Sequence, residues 1–140
     1  MDIRVDINLP CSAAKLTPFI DDLAQYPAWM GLVHAVDPEE TGIWQVELRG
    51  KIGPFARSKR LRMMQVETSE PHHVRFERQE NDGRAHSVWV LDAQVTEVGA
   101  FSALNMTLHY GGRLFSSVVE RALHDEIEAS KQRLRKLVAQ

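Results

Sequence analysis

The sequence predicts an α+β fold: a seven-stranded antiparallel sheet wrapped around a long C-terminal helix, with a short broken helix after the first strand. Three observations predict it. Ile3, Val5, Ile7 and Leu9 alternate with Asp2, Arg4, Asp6 and Asn8, the period of two that marks a half-buried strand. Residues 33–112 are a run of short apolar segments punctuated by turn residues. Residues 114–139 contain neither Gly nor Pro and carry one apolar stripe at helical spacing.

After the first strand, Pro10 and Ser12 punctuate, and Ser12 is placed to accept a backbone N–H at a helix start. Leu16, Phe19, Ile20 and Leu23 then follow at helical spacing, so a helix is expected over about residues 12–25. Pro18 removes a hydrogen bond from it, which predicts a kink or a break into two short pieces near residues 20–22. The segment ends at "QYPAWM", residues 25–30, where Pro27 disfavours helical geometry at Tyr26. Tyr26, Trp29 and Met30 there either plug the core or form the lip of a cavity.

The strands that follow are separated by Thr41-Gly42, Gly53-Pro54, Glu70-Pro71, Asn81-Asp82-Gly83 and Gly99-Ala100, all turn formers, and Asn81-Asp82-Gly83 is a strong hairpin signal. Short connections fit an antiparallel meander and not helical crossovers. In the last segment Leu114, Val118, Leu123, Ile127, Ser130, Leu134 and Leu137 fall near one stripe, opposite Glu120, Asp125, Glu128, Lys131 and Arg135. Such a helix is roughly 39 Å long and must lie across the whole sheet, in its concave face.

With 140 residues, 44% hydrophobic and 26% charged, the chain can bury a core of its own without staples. The single cysteine, Cys11, has no partner for an internal disulfide and no Cys or His at zinc-ligand spacing. The N-terminus has no apolar run of signal-peptide length and no segment approaches a membrane span, so a cytoplasmic location is expected. A net charge of −2 gives no footprint for nucleic acid, and a solvated strand edge accounts for the basic run "ARSKRLR" at 56–62.

Two stretches carry a family resemblance: "IRVDINLPCSAAKLTPFIDDLAQYPAWM" at 3–30 and "RLRMMQVETSEPHHVRFER" at 60–78. With the order of elements, they resemble the START-like, helix-grip (SRPBCC) superfamily, and most closely its bacterial polyketide cyclase/dehydrase and lipid-transport branch. The resemblance implies a single START-like domain over residues 1–140 with an elongated cavity between sheet and C-terminal helix.

Taking Val66 as inward, period two sends Met64, Arg62 and Arg60 into that cavity and Leu61 and Met63 outward. The opposite register remains open, because a one-residue bulge switches it. Exposed Leu61 and Met63 leave a homodimer open. Ligand contacts are expected from Trp29, Trp44, Leu48, Arg62, Met64, Phe76, Trp89, Leu91, Met106, Tyr110 and Leu123, a large and adaptable set that equally fills a core. An inward Arg62 pairs with a ligand oxyanion, pairs with an internal carboxylate such as Glu47 or Asp92, or snorkels to solvent. The six histidines form no ligand pair at helical spacing, and His72 and His73 point to opposite faces of a strand, so no metal or other cofactor is expected. His34 lies just past "QYPAWM" and is a candidate for proton transfer or an ordinary loop histidine. Ser116, Ser117 and Ser130 lack triad partners, and Gly111-Gly112 opens no phosphate loop.

Two function classes follow. One is a binding protein for a lipid, polyketide or aromatic molecule. The other is an aromatase/cyclase closing and dehydrating a poly-β-ketone chain, which by resemblance uses a buried Arg with aromatic residues; Arg62, Tyr110 and Trp89 are the positions available, with His34 standing where a tyrosine is wanted.

Overall fold

The computed structural model describes residues 2–50, 58–111 and 117–140, with side chains of the last stretch described from Arg121. Its elements are β1 (Asp2–Leu9), α1 (Ala13–Leu16), two 3-10 helices (Thr17–Phe19 and Leu23–Ala28), β2 (Val33–Glu40), β3 (Ile43–Leu48), β4 (Lys59–Val66), β5 (His73–Arg78), β6 (Trp89–Val98), β7 (Phe101–Tyr110) and α2 (Ser117–Val138). The strands form one sheet in the order β1-β7-β6-β5-β4-β3-β2, every pair antiparallel. The last six strands are a meander, and β1 closes its far edge against β7.

Ser12 caps α1 by accepting the Lys15 N–H, and the Glu97 carboxylate at the end of β6 accepts the Ala13 N–H at 2.9 Å. The helix breaks where Pro18 predicts: Pro18 sits in the first turn of the 3-10 helix, where its missing N–H costs nothing, and the chain restarts with Asp22 as cap on the Ala24 N–H. Two strand boundaries differ from expectation. The segment 84–98 becomes a strand only at Trp89, because Gly83 takes a left-handed φ of 73° and Asp82 binds the Arg84 N–H and the His86 ring, holding residues 79–88 as a loop. His72 also lies outside β5, at φ 57°, with its ring 3.2 Å from the Thr17 hydroxyl. Parts of the expected segments at 51–57 and 112–116 lie outside the described residues.

The core lies between one face of the sheet and the helices. Leu9, Phe76, Ala93, Leu104 and Met106 project from that face, and Leu123, Ser130, Leu134 and Val138 of α2 face it at spacings of four and seven. No helix among the described residues is long and apolar enough to cross a membrane.

Candidate functional site

A cavity of about 80 Å³ lies between the sheet and α2. Its walls are Ile3 and Val5 of β1, Met106 and Leu108 of β7, Trp89 and Leu91 of β6, Leu61 and Met63 of β4, and Val46 and Leu48 of β3. The segment 23–33 supplies Leu23, Tyr26, Trp29, Met30, Leu32 and Val33, and α2 supplies Leu123, Glu126, Ile127 and Ser130. Period two explains the strand contributions, since each paired strand sends alternate apolar side chains inward.

Tyr26 and Trp29 resolve the question raised by "QYPAWM" in favour of both readings. They line the cavity and are also fully buried parts of the core. The Tyr26 hydroxyl donates to the Ile20 carbonyl at 2.7 Å, and the Trp29 indole N–H donates to the Phe19 carbonyl at 3.2 Å, so both polar tips are satisfied within the broken helix. Burial pushes the Tyr26 phenol pKa well above its ordinary value. Behind Tyr26, Phe76 stands edge-on at 6.4 Å, and Trp44 stands edge-on to Phe76 at 5.5 Å.

Of the residues expected at the ligand, Trp29, Leu48, Trp89, Leu91, Met106 and Leu123 come together on the cavity wall. Trp44 and Phe76 do not line it; they face the same side of the sheet but stack behind Tyr26. The register of β4 is the reverse of the one built on Val66. Leu61 lies opposite Val46 and Met63 opposite Trp44, which turns both inward, while Arg62 lies opposite Gln45 and Met64 opposite Ile43 on the outer face. Arg62 therefore does not line this cavity: its guanidinium binds the Glu39 carboxylate at 2.7 Å and the Gln79 carbonyl at 2.9 Å. Glu39 occurs at a register shift in β2 between Pro38 and Glu40, and that irregularity brings it to Arg62 in place of Glu47 or Asp92. A hydrogen bond from Gln45 and then the Arg62 contact hold the Glu39 carboxyl below its usual range. Leu61 and Met63 are buried, which removes the exposed apolar surface on which a homodimer rested.

His34 falls at the other β2 shift, between Val33 and Ala35, and is exposed while Val33 turns inward. Tyr110 stacks on Trp89 with ring centroids 4.6 Å apart, beside the cavity wall and not in it.

Sequence reasoning missed three polar groups. Ser130, a lone hydroxyl in the apolar stripe of α2, accepts the Gly31 N–H at 3.2 Å and donates to the Glu126 carbonyl. Glu126 pairs with Arg133 at 2.7 Å, and Arg133 donates to the Trp29 carbonyl, so α2 is clasped to residues 29–31 at the cavity lip. The third is Lys59. It stands opposite Leu48, and its ammonium lies 5.7 Å from the Trp89 ring centroid and 5.6 Å from that of Tyr110. It is not the solvated edge residue that a basic run suggests. Burial, followed by the nearby Arg78, lowers its pKa. Among the described residues no cluster of His, Cys, Asp or Glu could hold a metal ion.

A long helix gripped by a seven-stranded antiparallel sheet around an apolar cavity defines a START-like helix-grip domain. The chain belongs to the family described as polyketide cyclase/dehydrase and lipid transport, whose model matches residues 1–139. No curated protein matches the sequence. Among solved structures it is similar to a START superfamily protein from Mycobacterium smegmatis, at 13% identity and a TM-score of 0.72, covering 99% of this chain and 97% of that one. A conserved protein from Geobacillus kaustophilus is similar at 12% identity and 0.72, covering 99% and 95%. An aromatase/cyclase from Streptomyces sp. R1128 is similar at 10% identity and 0.69, covering 99% and 93%. At such identities the likeness is one of fold.

Proposed function

We propose that the protein binds a hydrophobic small molecule, a lipid, polyketide or aromatic compound, in the cavity between sheet and α2. The observation that carries the reading is the wall itself: apolar side chains from six strands and two helical segments converge on one space, and the polar side chains among them, Glu126 and Ser130, are engaged with Arg133 and with the backbone. Affinity on such a surface comes from apolar burial, about 25 cal/mol per Å². The cavity is well below the roughly 300–1,000 Å³ of pockets that hold drug-sized molecules. Occupancy therefore requires the walls to move, and Met30, Met63 and Met106 on three sides supply adaptable side chains for it.

The aromatase/cyclase reading draws on the fold it shares with the Streptomyces enzyme, but the arginine assigned to it, Arg62, is on the outer face and bound to Glu39. Binding without turnover is thus the better supported reading. The test is titration with the neutral fluorophore N-phenyl-1-naphthylamine, together with native mass spectrometry of the protein as purified. Saturable binding near one equivalent, or a co-purified apolar molecule, is the expected result. A protein that is empty as purified and fails to enhance the fluorophore's emission refutes the reading.

A further inference from the structure

We propose that the ligand of this cavity is an organic anion, an apolar body ending in a carboxylate or similar oxyanion, and that Lys59 is the group that receives the charge. The proposal rests on the apolar-cavity reading and names the ligand class within it.

The geometry comes first. Lys59 opens β4 opposite Leu48, and alternation through Leu61 and Met63 puts all three on the cavity side of the sheet, where Leu48, Leu61 and Met63 are wall residues. Its ammonium rests near the faces of Trp89 and Tyr110, and Trp89 is itself part of the wall. Lys59 is not itself a wall residue, but its ammonium stands beside the wall at Trp89, and the carboxylate in the wall, that of Glu126, is paired with Arg133, so the head of an amphiphilic ligand reaching past Trp89 would meet the ammonium.

Charge balance is the second strand of the argument. Three cations on neighbouring elements are matched: Arg62 with Glu39, Arg78 with Glu80 at 2.6 Å, Arg133 with Glu126. Lys59 has no ion pair among the described residues and faces aromatic rings instead. The ring faces offer partial compensation for lost hydration, and Arg78 adds repulsion. An oxyanion entering from the cavity would restore a full counter-charge in a partly desolvated setting, where such a contact is stronger than at an open surface. A neutral ligand would leave the ammonium as it is.

The test uses two fluorophores of one skeleton, neutral N-phenyl-1-naphthylamine and anionic 8-anilino-1-naphthalenesulfonate, on the full chain and on Lys59→Met, Lys59→Gln and Lys59→Arg. Lys59→Met and Lys59→Gln are expected to weaken the anionic probe at least about fivefold, the scale of a lost charge-assisted contact, with the neutral probe changed less than about twofold. Lys59→Arg is expected to retain the anionic probe. Thermal melts of each variant identify any that is misfolded, and the two neutral replacements guard against a failure of one. If the neutral probe binds the wild type and the anionic probe does not, or if the variants affect both probes equally, the anion proposal is overturned while the cavity reading stands. If neither probe binds the wild type, the cavity reading falls and takes the proposal with it.

Discussion

Tyr26→Phe isolates one buried hydrogen bond and leaves nearly all the packing in place. The ring is fully buried, and its hydroxyl donates to the Ile20 carbonyl at 2.7 Å, bridging the break between the two 3-10 helices. Removing the donor leaves a buried carbonyl short of a partner, at a cost of about 1.5 kcal/mol. For a chain of this length that corresponds to a fall in Tm of roughly 5 °C. The pH dependence supplies a second, independent sign. Burial raises the folded pKa of Tyr26, whereas the unfolded phenol ionises near its ordinary value of about 10. The stabilisation is therefore complete below about pH 10 and declines as pH climbs further, at up to about 1.4 kcal/mol per pH unit, because only the unfolded chain releases the proton. Phenylalanine has no such loss, so the gap between wild type and variant should close near pH 11. Urea unfolding at pH 7, 9, 10 and 11 measures it. A variant equal in stability to the wild type at pH 7, or a gap that is constant from pH 9 to 11, would refute the reasoning. N-phenyl-1-naphthylamine should bind the variant as it binds the wild type, since the lost hydroxyl is committed to Ile20 and not to the cavity.

Three further outcomes follow from the same geometry. Val46→Phe pushes a ring into the cavity from the centre of β3 and is expected to abolish fluorophore binding while costing under about 3 kcal/mol in urea unfolding, the range for an overfilled core. Arg62→Met loses the contacts to Glu39 and to the Gln79 carbonyl and is expected to cost about 2 kcal/mol of stability with fluorophore affinity unchanged; a selective loss of affinity would place Arg62 at the ligand after all. In Gly31→Ala the new methyl group overlaps the Glu126 carboxylate, so the Glu126–Arg133 pair must move and the clasp on residues 29–31 loosens. Stopped-flow dilution should then show faster fluorophore release with the equilibrium fold intact.

The strands, the broken helix and the stripe of α2 were legible because each is a local pattern: alternation in β1, a proline inside a short helix, apolar residues three and four apart. The register of β4 was not, and the reason is physical. In "RLRMMQV" both faces offer large apolar side chains, Leu61 and Met63 on one and Met64 and Val66 on the other, so hydrophobic alternation has two nearly equal solutions. The decision is made elsewhere. Val46 and Trp44 lie across from Leu61 and Met63, and the irregularity in β2 delivers Glu39 to the outer face, where it satisfies Arg62. A buried arginine goes where its counter-charge is, and that counter-charge lies 23 positions away in sequence at a kink that no period-two pattern contains. The same logic separates Trp44 and Phe76 from the wall. Alternation gives the face of the sheet but not whether the space in front of it is filled, and Tyr26, from a different element, fills it. Lys59 was hidden for the converse reason: a lysine in a basic run reads as solvated, and only the arrival of Trp89 and Tyr110 from β6 and β7 makes it a buried-side cation. What a ligand would meet is thus set by contacts between elements distant in sequence, and the cation held against Trp89 and Tyr110 is the feature of this chain that those contacts create.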